Sequence, residues 1–503
     1  MDIGSYLAQN ARKTPEKLAI ECEGRSYTYK QFNEEVNKLA HGLLRMGMSK
    51  GDKIALMMKN SDQFVFAFFA GAKIGAVIVP VNFRLTASEV HYILEQSGTV
   101  LVICDDEYEE IITSAREGTN VAHVITAGTS KTVGHHSFAS VLSTDVTNPQ
   151  MEISEDDDLE ILYTSGTTGR PKGALFDHKR VFNVGLTMMI TMGINQEERI
   201  LHIAPLFHSA QLNLFLVSGV VLGATHIIHR DFHPVTTLQS IQEDKITHFF
   251  GVPAMYNFIL QVPNAADYDL SSIKRCGYGA APMAPELVRK SMELFRTDQF
   301  YNLCGLTEAG PGGILLGPEG HKHHLGKGGK SAFLTEARVV DGEGIDIMPG
   351  AVGEFIIKGE SIMKEYYKKP EETAKTIKEG WLYTGDLATI DENGYITLVD
   401  RKKDMIISGG ENVYSIEVEE VLYEHPAVLE AAIIGLPDEV WGEAVCAVIV
   451  PKKDAMVDEQ ELKSFCRQKL AGYKIPRKIF IEEALPRNAS GKILKYQLRQ
   501  KLV

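Results

Sequence analysis

Positive charge is in short supply in this 503-residue chain: 52 lysines and arginines face 66 aspartates and glutamates, a formal net charge of −14. Such a surface repels phosphate polyanions on average, which argues against nonspecific binding to nucleic acid or to an anionic membrane. Long apolar runs are missing as well. The most apolar stretch, Val65 to Val81, is interrupted by Lys73 and Pro80, so it reads as a core helix running into a buried strand rather than as a membrane span. The N-terminus, Met1-Asp-Ile-Gly-Ser-Tyr6, has neither the basic segment nor the apolar core of a signal peptide. Cysteines are few and scattered, at positions 22, 104, 276, 304, 446 and 466, and no C-x-x-C spacing points to zinc or to a disulfide framework. A reducing, cytoplasmic setting is the expectation. Internal repeats and low-complexity tracts are also lacking, so solenoid, fibrous and disordered classes drop out.

What remains is a chain too long for one ordinary core, which predicts at least two domains. Its first part alternates segments of helical and extended character: Ser5–Thr14, Leu18–Cys22, Arg25–Thr28, Tyr29–Met46, Lys53–Met58, Ser61–Ile74, Val77–Val81, Thr86–Ser97 and Val100–Cys104. The alternation resumes with strand-like Ile200–Ile203, Thr225–Ile228 and Thr247–Gly251. Strands alternating with helices of this length indicate parallel α/β layers. From Leu334 the texture changes to short strands (Ala337–Val340, Glu354–Lys358, Tyr395–Val399) with Asp341-Gly342 and Asn393-Gly394 as hairpin signals. The charged run Arg401-Lys-Lys-Asp404 reads as a linker. A compact unit follows: strand Met405–Ser408, a helix from Ser415 with Val418, Val421 and Leu422 on one face, strands Ala431–Ile434 and Ala447–Val450, helix Asp458–Leu470 and a tail. The expected fold is therefore α/β: an N-terminal domain over 1–400, made of two stacked α/β subdomains plus a small β subdomain, and a small α+β domain over 404–503.

One stretch is hard to explain by folding needs alone. After the apolar run Leu159-Glu-Ile-Leu162 come Tyr163-Thr164-Ser165-Gly166-Thr167-Thr168-Gly169-Arg170-Pro171-Lys172-Gly173. Glycines let consecutive backbone N–H groups turn toward one anion, the hydroxyls add donors, and Lys172 adds charge, a combination that suits phosphate. The spacing does not fit the Walker A pattern. Elsewhere, Thr307-Glu308 lies among Gly305, Gly310, Gly312 and Gly313, on a loop able to approach a ligand closely, and Glu308 offers the oxygen that a magnesium ion requires. Asp386, after Tyr383-Thr-Gly385, is an anionic acceptor at a tight turn. Lys492 stands in a Ser-Gly-Lys turn of a basic tail, where a solvated surface lysine is the ordinary reading. His208, in Pro205-Leu-Phe-His-Ser209, is read either as a satisfied core histidine or as part of a site. His321-Lys-His-His324 is assigned no role, because adjacent residues of a Gly-rich loop rarely aim at one centre.

Four of these stretches in order, Tyr163–Gly173, Cys304-Gly-Leu-Thr-Glu308, Trp381-Leu-Tyr-Thr-Gly-Asp386 with Asp400-Arg401, and Pro486-Arg-Asn-Ala-Ser-Gly-Lys492, resemble the core motifs of the adenylate-forming superfamily, and the resemblance spans nearly the whole chain. It implies ATP, Mg²⁺ and coenzyme A as cofactor and co-substrates. Thr164, Ser165, Gly166, Thr167, Thr168, Gly169 and Lys172 would hold the ATP phosphates; Glu308 and Thr164 the metal; Thr307 the α-phosphate; Asp386 and Arg401 the ribose. Gly279, Ala280, Tyr301 and Cys304 belong to the expected nucleotide and acid site, with His208 as a gate near the carboxylate. Where family members often place an aromatic residue against adenine this chain has Cys304, and Tyr301 is the expected substitute. Lys492 would bridge the carboxylate and the α-phosphate during adenylation. Lys403 matches a hinge position, within 401–403, about which the C-terminal domain turns so that Ser408, Gly409 and Gly410 face the thiol.

The expected reaction is AMP-forming ligation of a carboxylic acid, a fatty acid before an aryl acid, to coenzyme A through acyl-AMP. A luciferase would need oxygen chemistry. A peptide-synthetase adenylation domain usually has a carrier domain beside it, for which the chain has no room after Lys495-Tyr-Gln497. A carrier-loading enzyme and a non-catalytic nucleotide sensor are the other options; a sensor would be expected to lose Lys492 or Glu308, and both are present. A homodimer is left open.

Overall fold

The computed structural model of the chain describes residues 1–130, 132–164, 170–453, 455–487 and 493–502. They form two compact units, Met1–Glu336 with Lys358–Leu382, and Ala337–Ile357 with Tyr383–Val503. The expected hinge at 401–403 lies inside the second unit.

The first unit contains two sheets that share the chain in an interleaved way. One runs Lys330–Ser331, Gly313–Leu316, Phe300–Gly305, Arg275–Gly279, His248–Gly251, Arg199–His202, Thr225–Ile228, Leu18–Cys22, Arg25–Thr28; the other runs Glu365–Tyr366, Lys172–Asp177, Asp158–Thr164, Val77–Pro80, Lys53–Met57, Leu101–Cys104, His123–Thr126, His136–Ser137. Their central strands pair in parallel, and those at the middle of each sheet are apolar and buried on both faces, as at Ile54, Ala55, Leu56 and Met57. The strand positions agree with expectation. The allocation does not follow chain order: Leu18–Cys22 pairs with Thr225–Ile228, whereas the hairpin of Asp158–Thr164 and Lys172–Asp177 joins the sheet of the early strands.

The stretch Val65–Val81 forms the end of helix Asp62–Ile74 and strand Val77–Pro80, both buried, and no helix among the described residues is long and apolar enough to cross a membrane. Ser61 caps the helix by accepting from the Phe64 N–H at 3.1 Å. Lys73 is only 6% exposed. Burial pulls its pKa down to about 7, but its ammonium donates to the side-chain oxygens of Asn33, Asn37 and Asn148, which satisfies all three donors and makes the lysine a clamp between helices and loop.

Three neighbouring strands of the larger sheet bring His202, His226 and His248 together in the core. His202 pairs its two ring nitrogens with Gln211, at 2.6 Å, and with His226, at 2.9 Å; both nitrogens of His248 lack a partner among the described residues. Burial pushes all three pKa values down, to about 3 for His226 and His248, from an ordinary 6.5. Below pH 6.5 the unfolded chain binds these protons and the folded chain does not, so stability falls as pH drops from 6.5 toward the folded values, by about 1.4 kcal/mol per pH unit for each histidine. We expect the melting temperature to decline steadily between about pH 6.5 and 4, and His248→Phe to flatten that decline. An unchanged slope in the variant would show that this histidine is not held neutral.

The second unit has its own core. Strands Val428–Asp438 and Gly442–Pro451 pair antiparallel over nearly their full length, longer than expected because the apolar runs continue past Ile434 in the first and begin at Ala444, ahead of Ala447, in the second. Val418 and Leu422 of helix Ser415–Tyr423 pack on one face with Leu462 and Cys466, and Leu485 and Leu498 cover the other. The turns predicted at Asp341-Gly342 and Asn393-Gly394 are present, closed by Asp341 N–H to the Ile345 carbonyl and Asp391 N–H to the Tyr395 carbonyl. The charged run after Asp400 is more than a linker. Asp400 accepts from the backbone N–H and hydroxyl of Ser415 and so satisfies the first N–H of the helix that follows.

Candidate functional site

The expected phosphate loop falls between the two strands of a hairpin. Asp158–Thr164 pairs with Lys172–Asp177 in a register that sets Thr164 opposite Lys172, and the Thr164 hydroxyl donates to the Lys172 carbonyl at 3.4 Å. Ser165, Gly166, Thr167, Thr168 and Gly169 lie outside the described residues; the two ends that carry them are fixed by this pairing. The Lys172 ammonium lies 3.4 Å from the Glu372 carboxylate and 4.3 Å from the centre of the Tyr366 ring.

Glu308 sits in a single helical turn, Thr307–Ala309, that ends on Gly310 with φ +83°. A β-carbon at Gly310 would stand 2.4 Å from the Ser361 carbonyl oxygen, so the close approach and the left-handed backbone both demand glycine. The segment from Ser361 to Tyr366 braces this turn. The Ser361 hydroxyl donates to the Ala309 carbonyl at 3.0 Å, Met363 N–H to the Glu308 carbonyl at 2.8 Å, and the Tyr366 hydroxyl to Glu308 Oε1 at 2.8 Å. The other carboxylate oxygen makes no hydrogen bond among the described residues. No cluster of three or more His, Cys, Asp or Glu side chains able to hold a metal occurs among the described residues. One open carboxylate oxygen fits magnesium, which commonly takes one or two carboxylates with substrate phosphates and water.

Thr307 meets Ser209 across the site, hydroxyl to hydroxyl at 3.2 Å. Ser209 and His208 precede a wide-turned π-helix, Ala210–Val217, a form often found at functional sites. Two buried hydrogen bonds secure it: Gln211 reaches His202 in one sheet, and Asn213 donates to Glu160 in the other at 2.6 Å. Burial raises the pKa of Glu160 to about 7. His208 Nδ1 accepts from the Ala210 N–H at 3.2 Å, leaving Nε2 to carry the proton. The packing around the ring lowers its pKa to about 4, so His208 is neutral near pH 7 and offers a hydrogen bond rather than a charge.

Gly279 ends strand Arg275–Gly279 beside Leu303, and Ala280 follows in a left-handed conformation, φ +66°, a strained state for a residue with a side chain. Tyr301 does not take the place expected of it. It stands three residues before Cys304 in the same strand, an odd offset that turns the two side chains to opposite faces. It is only 7% exposed and packs with Phe215 and Phe250 in the core, so its ring is not available to stack on a base. Cys304 instead lines a cavity together with Val184, Met188, Leu214, Leu303 and Ser361.

In the second unit the antiparallel register places Asp386 opposite Arg401, and their side chains form an ion pair at 3.1 Å. Lys403 is exposed. Ser408 and Glu411 are paired across a two-residue turn, with Gly409 and Gly410 at φ +62° and +85°, the geometry of a tight hairpin. A β-carbon at Gly409 would stand 2.8 Å from Trp441, over whose ring Arg477 packs at 3.8 Å. The turn by itself therefore accounts for both glycines. Lys492 lies outside the described residues, and its flanks are joined by a bridge between Arg487 and Ile493.

Two residues of this site, Tyr366 and Ser209, carry no signal in the sequence. Tyr366 stands in Glu365-Tyr-Tyr-Lys368 and is written like any core aromatic; Ser209 is marked only by its place after His208.

Residues 7–367 match the model of the AMP-binding enzyme family and residues 417–492 that of the AMP-binding enzyme C-terminal domain. The chain is 36% identical over 499 residues to a feruloyl-CoA synthase of Amycolatopsis sp, covering 99% of each protein. It is 38% identical over 507 residues to a long-chain-fatty-acid–CoA ligase of Mycobacterium tuberculosis, covering 99% of this chain and 98% of that protein. Among solved structures, the o-succinylbenzoate CoA synthetase of Bacillus subtilis in complex with its acyl-adenylate intermediate superposes with a TM-score of 0.88 at 31% identity, covering 98% of this chain and 97% of that one. With its phosphate-loop hairpin, its braced Thr307-Glu308 turn and matches of this extent, the chain belongs to the AMP-binding enzyme family of the adenylate-forming superfamily.

Proposed function

We propose that this enzyme is an AMP-forming ligase that joins a carboxylic acid with an apolar tail, in the first place a fatty acid, to coenzyme A through acyl-AMP. The observation that carries the substrate class is the cavity beside the Glu308 turn: its lining is aliphatic and sulfur-bearing, with only small hydroxyl groups and Cys304 as polar edges and no ionised side chain. Such a lining suits an apolar tail once the cavity, about 20 Å³ as it stands, opens to admit one, and it penalises a second carboxylate, which would be desolvated without a partner.

In the first half-reaction the acid carboxylate attacks the α-phosphorus of ATP and pyrophosphate leaves. Displacement at phosphorus is catalysed by positioning and charge. Thr164 and Lys172, with the loop between them, hold the leaving phosphates, Thr307 the α-phosphate, and Asp386 with Arg401 the ribose. Neutral His208 donates toward the acid without pairing with it as an ion. Glu308 and Thr164 would hold magnesium, which supplies charge neutralisation on the phosphates when bound. Lys492 attends the oxygen–phosphorus bond being made. In the second half-reaction, rotation about Lys403, in the 401–403 hinge between the domains 1–400 and 404–503, withdraws Lys492 and presents Ser408, Gly409 and Gly410 to the incoming thiol.

An aryl acid is the second reading, favoured by the likeness over 99% of the chain to a feruloyl-CoA synthase. The test is incubation with ATP, coenzyme A and a panel of alkyl, aryl and dicarboxylic acids, measuring pyrophosphate, AMP and thioester separately. Alkyl monocarboxylates are expected to release AMP fastest and to yield the CoA thioester. Preference for aryl acids would establish the second reading, pyrophosphate release without AMP or CoA thioester would point to a carrier protein as acceptor, and ATP binding without pyrophosphate release from any acid would sink the enzymatic assignment.

A further inference from the structure

We infer that Tyr366 is a positioning residue that holds the metal-side carboxylate of Glu308 and the phosphate-side ammonium of Lys172 at fixed places on either side of one phenol ring. The inference rests on the reading of Glu308 and Lys172 given above and adds a residue that no motif of the chain marks.

The geometry is unusual in that one side chain serves two opposite charges by two different kinds of contact. The Tyr366 hydroxyl donates to Glu308 Oε1 at 2.8 Å, while the Lys172 ammonium lies 4.3 Å from the ring centre, within the range of a cation–π contact. Tyr366 itself has no freedom to drift. Its short strand pairs with that of Lys172, setting Tyr366 opposite Ala174. Lys364 N–H and Tyr367 N–H donate to the Leu175 and Gly173 carbonyls at 2.8 Å each, and Tyr366 N–H to the Thr373 hydroxyl at 3.0 Å. The side chain is 4% exposed. Both the hydroxyl and the ring face are thus presented from a rigid backbone.

The alternative arrangement is a direct pair between Lys172 and Glu308, which would neutralise the two groups against each other. Lys172 instead has Glu372 as its ion-pair partner among the described residues, a surface pair at 3.4 Å with a half-exposed carboxylate, weak enough for phosphate to replace. The ring face takes the ammonium and the hydroxyl takes the carboxylate, so each charge has its own contact on Tyr366. The hydroxyl uses one Glu308 oxygen and leaves the other open, as an outer partner does when it orients a ligand for a metal.

The test is equilibrium binding of ATP to the full-length protein, without acid or coenzyme A, across a magnesium titration, for Tyr366→Phe, Tyr366→Leu and Glu308→Gln. Y366F keeps the ring and loses the hydroxyl. It is expected to raise the magnesium concentration for half-maximal ATP binding by about tenfold, the scale of losing an outer partner of a metal ligand, with ATP affinity at saturating magnesium unchanged. Y366L removes the ring as well and should also weaken ATP binding at saturating magnesium. A magnesium midpoint in Y366F equal to that of the wild type, with E308Q shifted, overturns the role of the hydroxyl while leaving Glu308 in place. Equal behaviour of Y366F and Y366L overturns the role of the ring. A wild-type midpoint in E308Q removes Glu308 from the metal side and the inference with it. Y366F retains the packed ring, so it and E308Q decide the matter should Y366L not fold.

Discussion

Replacing Lys492 with alanine is expected to lower the rate of acyl-AMP formation by about 10²-fold or more, the scale of removing one preorganised charge contact from a transition state. Thioester formation from supplied acyl-AMP should stay close to the wild-type rate. On the proposed mechanism two lysines would attend two different oxygens of the same displacement. Lys172, fixed by the hairpin register opposite Thr164, would restrain the leaving phosphates, whereas Lys492 would follow the bond being formed. A compact ammonium suits that task because charge develops there without a proton being transferred. The split between half-reactions is the discriminating result: rates measured separately that fall equally in both would show that Lys492 does not leave the site between steps, and rotation about Lys403 would have to be abandoned.

Asp386→Ala should lower kcat/KM for ATP by about 10²-fold, since a carboxylate accepting from two ribose hydroxyls makes two charge-assisted hydrogen bonds worth roughly 1.5 kcal/mol or more each. The structure adds a reason why the loss should be confined to the sugar. Asp386 is held opposite Arg401 by strand register and paired with it at 3.1 Å, so the carboxylate is aimed before ATP arrives and its removal leaves the strands intact. The check is discrimination between ATP and its 3′-deoxy analogue. The wild-type enzyme is expected to prefer ATP by about tenfold, the worth of one such bond, and the variant to use both alike. A variant that still prefers ATP would place the ribose elsewhere.

Period and punctuation settled much of this architecture. The α/β alternation, the buried helix around Phe68, the two turns at Asp341-Gly342 and Asn393-Gly394, and the separate core around Val418 and Leu422 all depend on neighbours a few residues apart, where backbone sterics and the burial of one face act directly. The Thr307-Glu308 turn was legible for a related reason: a tight turn that brings backbone close to its neighbours needs glycines in one continuous run.

Contacts between distant segments were decided otherwise. Leu18–Cys22 could pair with any apolar strand, and only the packing of the whole unit sends it to Thr225–Ile228. Cys304 and Tyr301 look interchangeable as neighbours of a base until the pleat turns them to opposite faces and the core claims the tyrosine. Asp386 and Arg401 become a pair through a register that neither residue specifies. Tyr366 became part of the site because strand Lys172–Asp177 accepts a short partner from far along the chain. The sequence by itself determined which chemical groups the enzyme carries and where the chain turns, because those are local properties; which groups face one another was left to the tertiary structure, because many pairings bury the same apolar surface and only their joint packing selects one.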